Sequence, residues 1–152
     1  MCEYKWSRSR YKLFISKWGI VIILEAGYKI LPATENKEDY IKVVDNLYAS
    51  FDLMSYPSSQ QLIAEEQILF CNGLKLVSDQ ILEALQNRCC LVTLRRIEFS
   101  PCDIQDEAYT ACAIQWASEA FGFPMPEINV WFDREQPPCG RYVFDFLPPD
   151  RA

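Results

Sequence analysis

Carboxylates, thiols and tyrosine hydroxyls are the groups from which any catalytic chemistry of this chain would have to be built, because its 152 residues include no histidine. That absence excludes Ser-His-Asp and Cys-His nucleophile pairs, histidine-liganded zinc, two-histidine-one-carboxylate iron and imidazole pH switches. The five glycines form no phosphate-binding loop, Walker motif or dinucleotide fingerprint. The sequence therefore leaves few enzyme classes open and favours binding.

Cys102 is the best candidate nucleophile. It precedes Asp103, which is predicted to cap a helix, and a helix N-terminus lowers the pKa of a nearby thiol. The acid pairs Glu65-Glu66 and Asp106-Glu107 are adjacent in sequence, so on a helix each pair diverges by about 100° and does not converge on one metal or substrate. Glu3-Tyr4-Lys5 lacks the preceding acid of a metal-dependent nuclease. We expect no catalytic residues, no metal site and no cofactor.

The cysteine pattern predicts reduced thiols. Their number is odd, and no two of them have C-x-x-C spacing. Several lie within apolar runs, where a thiol acts as a small hydrophobe, so a reducing cytoplasm is expected. The apolar stretch from Leu13 to Leu24 is interrupted by Lys17 and is too short to span a bilayer, which disfavours secretion. The seven cysteines are Cys2, Cys71, Cys89, Cys90, Cys102, Cys112 and Cys139.

Hydrophobic spacing predicts one α+β domain over residues 1–152, with a weak internal boundary near 54–59. We expect the order β-β-α-α-β-α-β-β, with about five strands in a mixed or antiparallel sheet and three helices covering one face. The predicted elements are strands at 11–16 and 20–24, a helix at 37–51 starting after Asn36, a helix starting at Ser58 and broken at Gly73, a strand at 91–99, a helix from Asp103 to Gly122, and strands at 128–133 and 142–146. Asn72-Gly73 also fits a hairpin.

Charge is divided unevenly along the chain, whose formal net charge is −6. Residues 103–152 carry nine acidic and three basic side chains, a net charge of −6, beside three aromatic residues that we expect to be exposed. An acidic surface with aromatic anchors suits a basic partner protein. The alternative is a solvated acidic surface with the aromatic rings in the core. The three residues are Trp116, Trp131 and Tyr142.

The N-terminal segment is basic. Residues 1–17 carry five basic side chains and one acidic side chain, and over Tyr4 to Lys12 cations alternate with aromatics. Such a segment is typical of single-stranded nucleic-acid surfaces and also of edge strands that lysine and arginine protect from aggregation. Because the whole chain is negatively charged, the edge strand is the favoured interpretation and no direct nucleic-acid binding is expected.

In size, charge and lack of histidine the chain is similar, as a class, to the immunity proteins that neutralise bacterial toxins and to phage-encoded inhibitors. We expect a non-enzymatic, cytoplasmic inhibitor that covers the active site of a basic enzyme such as a nuclease or deaminase. The alternatives are a phage anti-defence inhibitor of the anti-CRISPR type, whose acidic face mimics nucleic acid, and a cysteine-dependent enzyme or ligand-binding domain. A homodimer also fits, but a membrane partner is not expected. The predicted partner-binding residues are Trp131, Asp133, Glu135, Tyr142 and Asp145.

Overall fold

The structure is a computed structural model that describes residues 3–16, 18–136 and 140–146. Within these residues seven strands and three helices follow one another along the chain. They are β1 (Lys5–Leu13), β2 (Ile20–Ile30), β3 (Ile41–Val44), β4 (Leu47–Phe51), α1 (Ala64–Leu76), α2 (Ser78–Ala84), β5 (Cys90–Phe99), α3 (Asp106–Phe121), β6 (Ile128–Asp133) and β7 (Arg141–Phe146).

Five strands form a mixed sheet in the order β1-β2-β5-β4-β3. The β4–β5 pair is parallel, because α1 and α2 carry the chain back between these two strands, and the other pairs are antiparallel. The predicted α+β class, with three helices and a five-stranded mixed sheet, is confirmed. The prediction that the basic N-terminal segment forms an edge strand is also confirmed, because β1 lies at one end of the sheet. The predicted bounds of 11–16 are wrong, since β1 covers residues 5–13 and residues 14–16 belong to the turn that follows it.

Helices α1 and α3 pack on the same face of the sheet and enclose the core. Trp116 of α3 lies against β1, and Phe70 of α1 lies against Phe51 of β4. Gly73 allows α1 and α3 to approach closely, since a Cβ at this position would lie 2.4 Å from the carbonyl oxygen of Thr110. Helix α1 begins at Ala64 with Ile63 as its N-cap, so the predicted start at Ser58 is wrong. It continues through Gly73, and the predicted break falls instead at Val77, between α1 and α2.

The predicted helix over residues 37–51 is wrong, because β3 and β4 form a hairpin there. Asn36 Oδ1 accepts a hydrogen bond from Glu38 N (2.9 Å), as a helix N-cap does, but no helix follows. Asn46 takes φ 69° in the tight turn between the strands, a conformation that asparagine tolerates better than most residues. The β-branched pair Val43-Val44 then fits the pleated strand.

The segment between β4 and α1 is held against β5. Residues 52–60, near the predicted boundary, run along this strand, where Asp52 N donates to Leu94 O (2.9 Å) and Gln60 N donates to Ile97 O (2.8 Å). Helix α3 ends at Gly122, whose φ of 77° confirms the predicted left-handed cap. Among the described residues, no helix is both long and apolar enough to cross a lipid bilayer.

Candidate functional site

Strands β6 and β7 form a separate two-stranded hairpin, and its outward side carries most of the predicted partner-binding residues. Because side chains alternate along each strand, Trp131 opposite Val143 and Asp133 opposite Arg141 share this side. Half of the Trp131 side chain is exposed, at 50%. We call this surface the hairpin face, formed by Asn129, Trp131, Asp133, Arg141, Val143 and Asp145 together with Glu135 in the turn at its end.

The carboxylate of Asp133 shapes the start of the turn after β6. Its Oδ1 accepts a hydrogen bond from Glu135 N (3.0 Å), and its Oδ2 accepts one from Gln136 Nε2 (3.2 Å). These bonds place the exposed Glu135 at the end of the hairpin face, while Asp145 lies across from Asn129 on the same face. The structure therefore brings Trp131, Asp133, Glu135 and Asp145 to one surface.

Tyr142 is not part of that surface, which corrects its predicted role as a partner-binding residue. Its side chain is fully buried, because its register opposite Phe132 points it toward the core. The hydroxyl donates to Trp18 O (2.6 Å) and accepts from the backbone amides of Ile15 (3.2 Å) and Ser16 (3.3 Å). Tyr142 thus anchors the hairpin to the β1–β2 turn.

Gln105 fixes the backbone on the buried side of β7. Its Nε2 donates to Tyr142 O (2.8 Å), and its Oε1 accepts from Tyr142 N (2.7 Å). Trp116, also expected at the surface, is fully buried, and its Nε1 donates to Ser7 Oγ (3.1 Å). Of the three aromatic residues that the sequence placed at the surface, only Trp131 is exposed.

The negative charge of the C-terminal third is partly neutralised and partly spread. Arg141 Nη2 donates to both carboxylate oxygens of Glu107, at 2.8 and 3.0 Å. Glu119 and Glu127 are exposed elsewhere on the surface, and Asp150 lies outside the described residues. The hairpin face is therefore only moderately acidic, with Asp133, Glu135 and Asp145 as its carboxylates.

The predicted nucleophile Cys102 is exposed but does not lie at a helix N-terminus. Helix α3 begins at Asp106 with Gln105 as its N-cap, so the predicted cap at Asp103 is wrong. Burial raises the pKa of the Cys71 thiol to about 11. Burial, helped by neighbouring Cys89, raises the pKa of Cys90 to about 12.

The described thiols are all unbonded, three of them buried, while Cys2 and Cys139 lie outside the described residues. The carboxylate of Glu66 accepts hydrogen bonds from Ile63 N (2.9 Å) and from Tyr109 Oη (3.0 Å). Burial and then Glu66 raise the pKa of Tyr109. Within the described ranges no group of three or more cysteine, aspartate or glutamate side chains is placed to bind a metal ion.

Comparison with known proteins gives no relative to guide the assignment. No protein family matches this sequence, and the searches for similar proteins and for similar solved structures found no match. The function must be inferred from the surfaces themselves.

A second surface lies on the side of the five-stranded sheet opposite α1 and α3; the sequence indicated its β1 part, the basic segment from Tyr4 to Lys12, but not the residues that β2 and β5 add to it. There Arg95 donates to Glu25 Oε2 (2.7 Å), and Arg8 lies 3.4 Å from Glu25 Oε1. Burial raises the pKa of Glu25, but the hydrogen bonds and charges of Arg95 and then Arg8 outweigh it and hold the pKa below its ordinary value. The adjacent Arg95-Arg96, which interrupts the alternation of β5, is the sequence signal that pointed here.

Proposed function

We propose that this chain is a non-enzymatic inhibitor of the immunity-protein kind, which uses the hairpin face to cover the active site of a more basic enzyme. The supporting observation is the half-exposed Trp131, flanked by Asp133 and Asp145 on a hairpin whose buried side is fixed. Tryptophan is the residue type whose truncation most often weakens a protein interface.

The hairpin is held in place before any partner arrives. Tyr142 and Gln105 bond its backbone and side chains to the core, so little ordering entropy is lost when Trp131 enters a pocket. Asp133, Glu135 and Asp145 then contribute mainly to the association rate and to specificity, because partly exposed charges steer an encounter more than they tighten a complex.

A nuclease or a nucleic-acid deaminase is the expected target class. The active sites of such enzymes present lysine and arginine to phosphates, and those groups attract carboxylates equally well. The free thiols of the described chain suit a reducing cytoplasm, where an inhibitor of this kind would protect the cell.

The test is capture of the partner from the source cell, followed by an inhibition assay with the purified partner. The unchanged chain should abolish the partner's catalytic activity at a molar ratio near one. Trp131→Ala should raise the inhibition constant by about 30-fold or more, since loss of a buried anchor costs about 2 kcal/mol. The triple variant Asp133→Asn, Glu135→Gln, Asp145→Asn should slow association at low salt.

A matched triple variant beside β3, at the opposite edge of the sheet from β1, provides the control. Glu38→Gln, Asp39→Asn and Asp45→Asn remove the same charge from exposed positions and should leave inhibition unchanged. A captured enzyme that stays fully active in the presence of the chain would refute the proposal. Equal effects of the two triple variants would remove the hairpin face from it.

A further inference from the structure

The side of the five-stranded sheet opposite the helices combines many polar and aromatic side chains with the apolar residues Val21, Ile23 and Leu91. Helices α1 and α3 contact the other side, through residues such as Ser7, Tyr28 and Phe51. Strand alternation and register place a separate set of residues on the uncovered side. We call it the open sheet face, formed by Tyr4, Trp6, Arg8, Arg10, Lys12, Val21, Ile23, Glu25, Gly27, Lys29, Tyr48, Ser50, Leu91, Thr93, Arg95, Arg96 and Glu98, with Tyr56 above it.

This face is strongly basic although the protein is acidic. It carries six cationic and two anionic side chains, a net charge of +4, in a chain whose formal net charge is −6. Arg8, Arg10 and Lys12 alternate along β1, are all exposed, and follow one another at about 6.7 Å, two residues of extended strand. That spacing is comparable with the separation of successive phosphates in an extended single strand.

A β-bulge explains why β5 adds two arginines to this face rather than one. The register of β2 and β5 shifts between Glu25 and Ala26, so that Glu25 pairs with Arg96, Ala26 pairs with Leu94, and Arg95 has no partner. The guanidinium groups of Arg95 and Arg96 lie 5.6 and 5.5 Å from the ring of Tyr56. Both positive charges therefore reach the open sheet face.

Aromatic rings lie among these cations. Tyr4 and Trp6 stack with their ring centroids 4.6 Å apart, and the guanidinium of Arg95 lies 3.7 Å from the Trp6 ring. The ammonium of Lys29 lies 4.8 Å from the Tyr4 ring. Gly27 makes room for the indole against the sheet, since a Cβ there would lie 2.5 Å from Trp6 Cε3.

We propose that the open sheet face binds single-stranded nucleic acid, with Arg8, Arg10 and Lys12 along the phosphates and the Trp6–Arg95 platform beneath the bases. Charge complementarity selects a polyanion, and the planar rings and guanidinium groups select one that carries π faces. An acidic protein would match the charge but leave the stacking platform unused. This proposal reverses the expectation of no direct nucleic-acid binding, which rested on the net charge of the whole chain and not on that of one face. The site is separate from the hairpin face and does not depend on the proposed inhibition.

Fluorescence anisotropy of labelled poly(dT) and poly(U) oligonucleotides of about twelve nucleotides tests the proposal on the full chain. We expect a dissociation constant below about 100 µM at about 50 mM salt, and weaker binding at about 200 mM. The double variant Arg10→Gln, Lys12→Gln should lower affinity at least about tenfold and reduce the slope of log affinity against log salt by about 1.4. Comparing the two oligonucleotides separates a DNA ligand from an RNA ligand.

Two controls make the result specific. Lys75→Gln with Arg88→Gln removes the same charge from exposed positions outside the open sheet face and should leave binding unchanged. Trp6→Phe keeps an aromatic ring on the sheet and should remove the part of the tryptophan fluorescence that the oligonucleotide quenches.

Three outcomes would overturn the assignment. The first is that neither oligonucleotide binds. The second is that polyglutamate of similar length binds as tightly as the oligonucleotides. The third is that Arg10→Gln with Lys12→Gln lowers affinity no more than Lys75→Gln with Arg88→Gln does. Equal affinity for a duplex would overturn the single-strand preference. None of these results bears on inhibition by the hairpin face, so the failure of one proposal is distinguishable from the failure of the other.

Discussion

Two aromatic clusters join distant parts of this chain, and they differ in how far water reaches them. The hairpin cluster of Trp18, Phe132 and Tyr142 packs edge to face, with centroids 4.9 to 6.0 Å apart, around a fully buried tyrosine. The sheet cluster of Tyr4, Trp6, Tyr56 and Arg95 is half-buried and holds its rings against a cation.

The difference separates structural from functional use of the same residue types. In the hairpin cluster the Tyr142 hydroxyl is satisfied by backbone groups, and the indole N–H of Trp18, which has no partner among the described residues, is buried away from solvent. In the sheet cluster the guanidinium keeps donors that Glu25 does not use. The buried rings of the hairpin cluster hold the β6–β7 hairpin in place. The half-buried rings of the sheet cluster, which lie beside a cation, leave the open sheet face able to bind a ligand.

Truncation of a side chain in the hairpin cluster should give the largest loss of folding stability. Tyr142→Ala removes the buried ring and its hydroxyl together, and we expect a loss of about 3–5 kcal/mol in the free energy of unfolding by urea denaturation. Tyr142→Phe keeps the ring and should cost about 1–2 kcal/mol, because the amides of Ile15 and Ser16 lose their acceptor. A loss below about 1 kcal/mol for the alanine variant would show that the ring does not anchor the hairpin.

The two glycines that face the clusters offer a matched comparison. Gly140 has φ 94°, and a Cβ there would lie 2.4 Å from Cζ of the Phe132 ring, so Gly140→Ala should cost about 2–4 kcal/mol. Gly27→Ala meets Trp6 at 2.5 Å, but this ring can shift toward solvent, so the expected cost is about 1–2 kcal/mol. Thermal or urea unfolding measures the two losses in free energy of unfolding. A larger loss for Gly27→Ala than for Gly140→Ala would contradict the expected order.

Removal of the cation should weaken the sheet cluster modestly. Arg95→Gln breaks the ion pair with Glu25 and the contact with Trp6, which together are worth about 1 kcal/mol at a partly exposed site. The loss should shrink in high salt, where the ion pair is screened. Lys75→Gln, an exposed position outside both clusters, should change stability by less than about 0.5 kcal/mol.

Acid should affect the sheet cluster through Glu25. Its folded-state pKa lies below the ordinary 4.5, so the carboxylate contributes stability that is present above the unfolded pKa and is lost as pH falls through the folded value. We expect the free energy of unfolding to fall less for Glu25→Gln than for the unchanged chain when the pH is lowered from about 6 to about 3. This range extends about 1.5 pH units to each side of the ordinary pKa of glutamate. Parallel pH profiles of the two proteins would contradict the ion-pair arrangement.

Trp131→Ala should have the smallest effect on folding. Its side chain is half exposed and lies outside both clusters, so the free energy of unfolding should change by less than about 0.5 kcal/mol. A loss above about 1 kcal/mol in urea denaturation would mean that this ring supports the hairpin rather than being kept for a partner.

Segments whose hydrophobic spacing fits only one type of secondary structure were predictable from the sequence. The β1–β2 hairpin, β5, α3 with its Gly122 cap, and β6–β7 each carry strand alternation or helical spacing bounded by glycine or proline. The β3–β4 hairpin was not, because its apolar residues recur at a spacing that also fits one side of a helix. Asp45-Asn46, at the turn, was the overlooked signal.

The candidate sites were only partly predictable, for a physical reason. Alternation shows that neighbouring residues of a strand point to opposite sides, but it does not show which side meets the core. Trp131 and Tyr142 were therefore equivalent in the sequence, and the register opposite Phe132 decides between them. The open sheet face depends on pairing of the β1–β2 hairpin with β5, which is distant along the chain, and on a bulge that the Arg95-Arg96 pair indicates but does not by itself specify.

The bond between Tyr142 and the β1–β2 turn has a consequence for biosynthesis. The amides of Ile15 and Ser16 emerge from the ribosome long before the phenol that accepts their hydrogen bonds. The turn between β1 and β2 thus stays incompletely hydrogen-bonded until β7 has been synthesised and has left the ribosome. A ribosome stalled before residue 142 would hold a protein whose β1–β2 turn is still open to water.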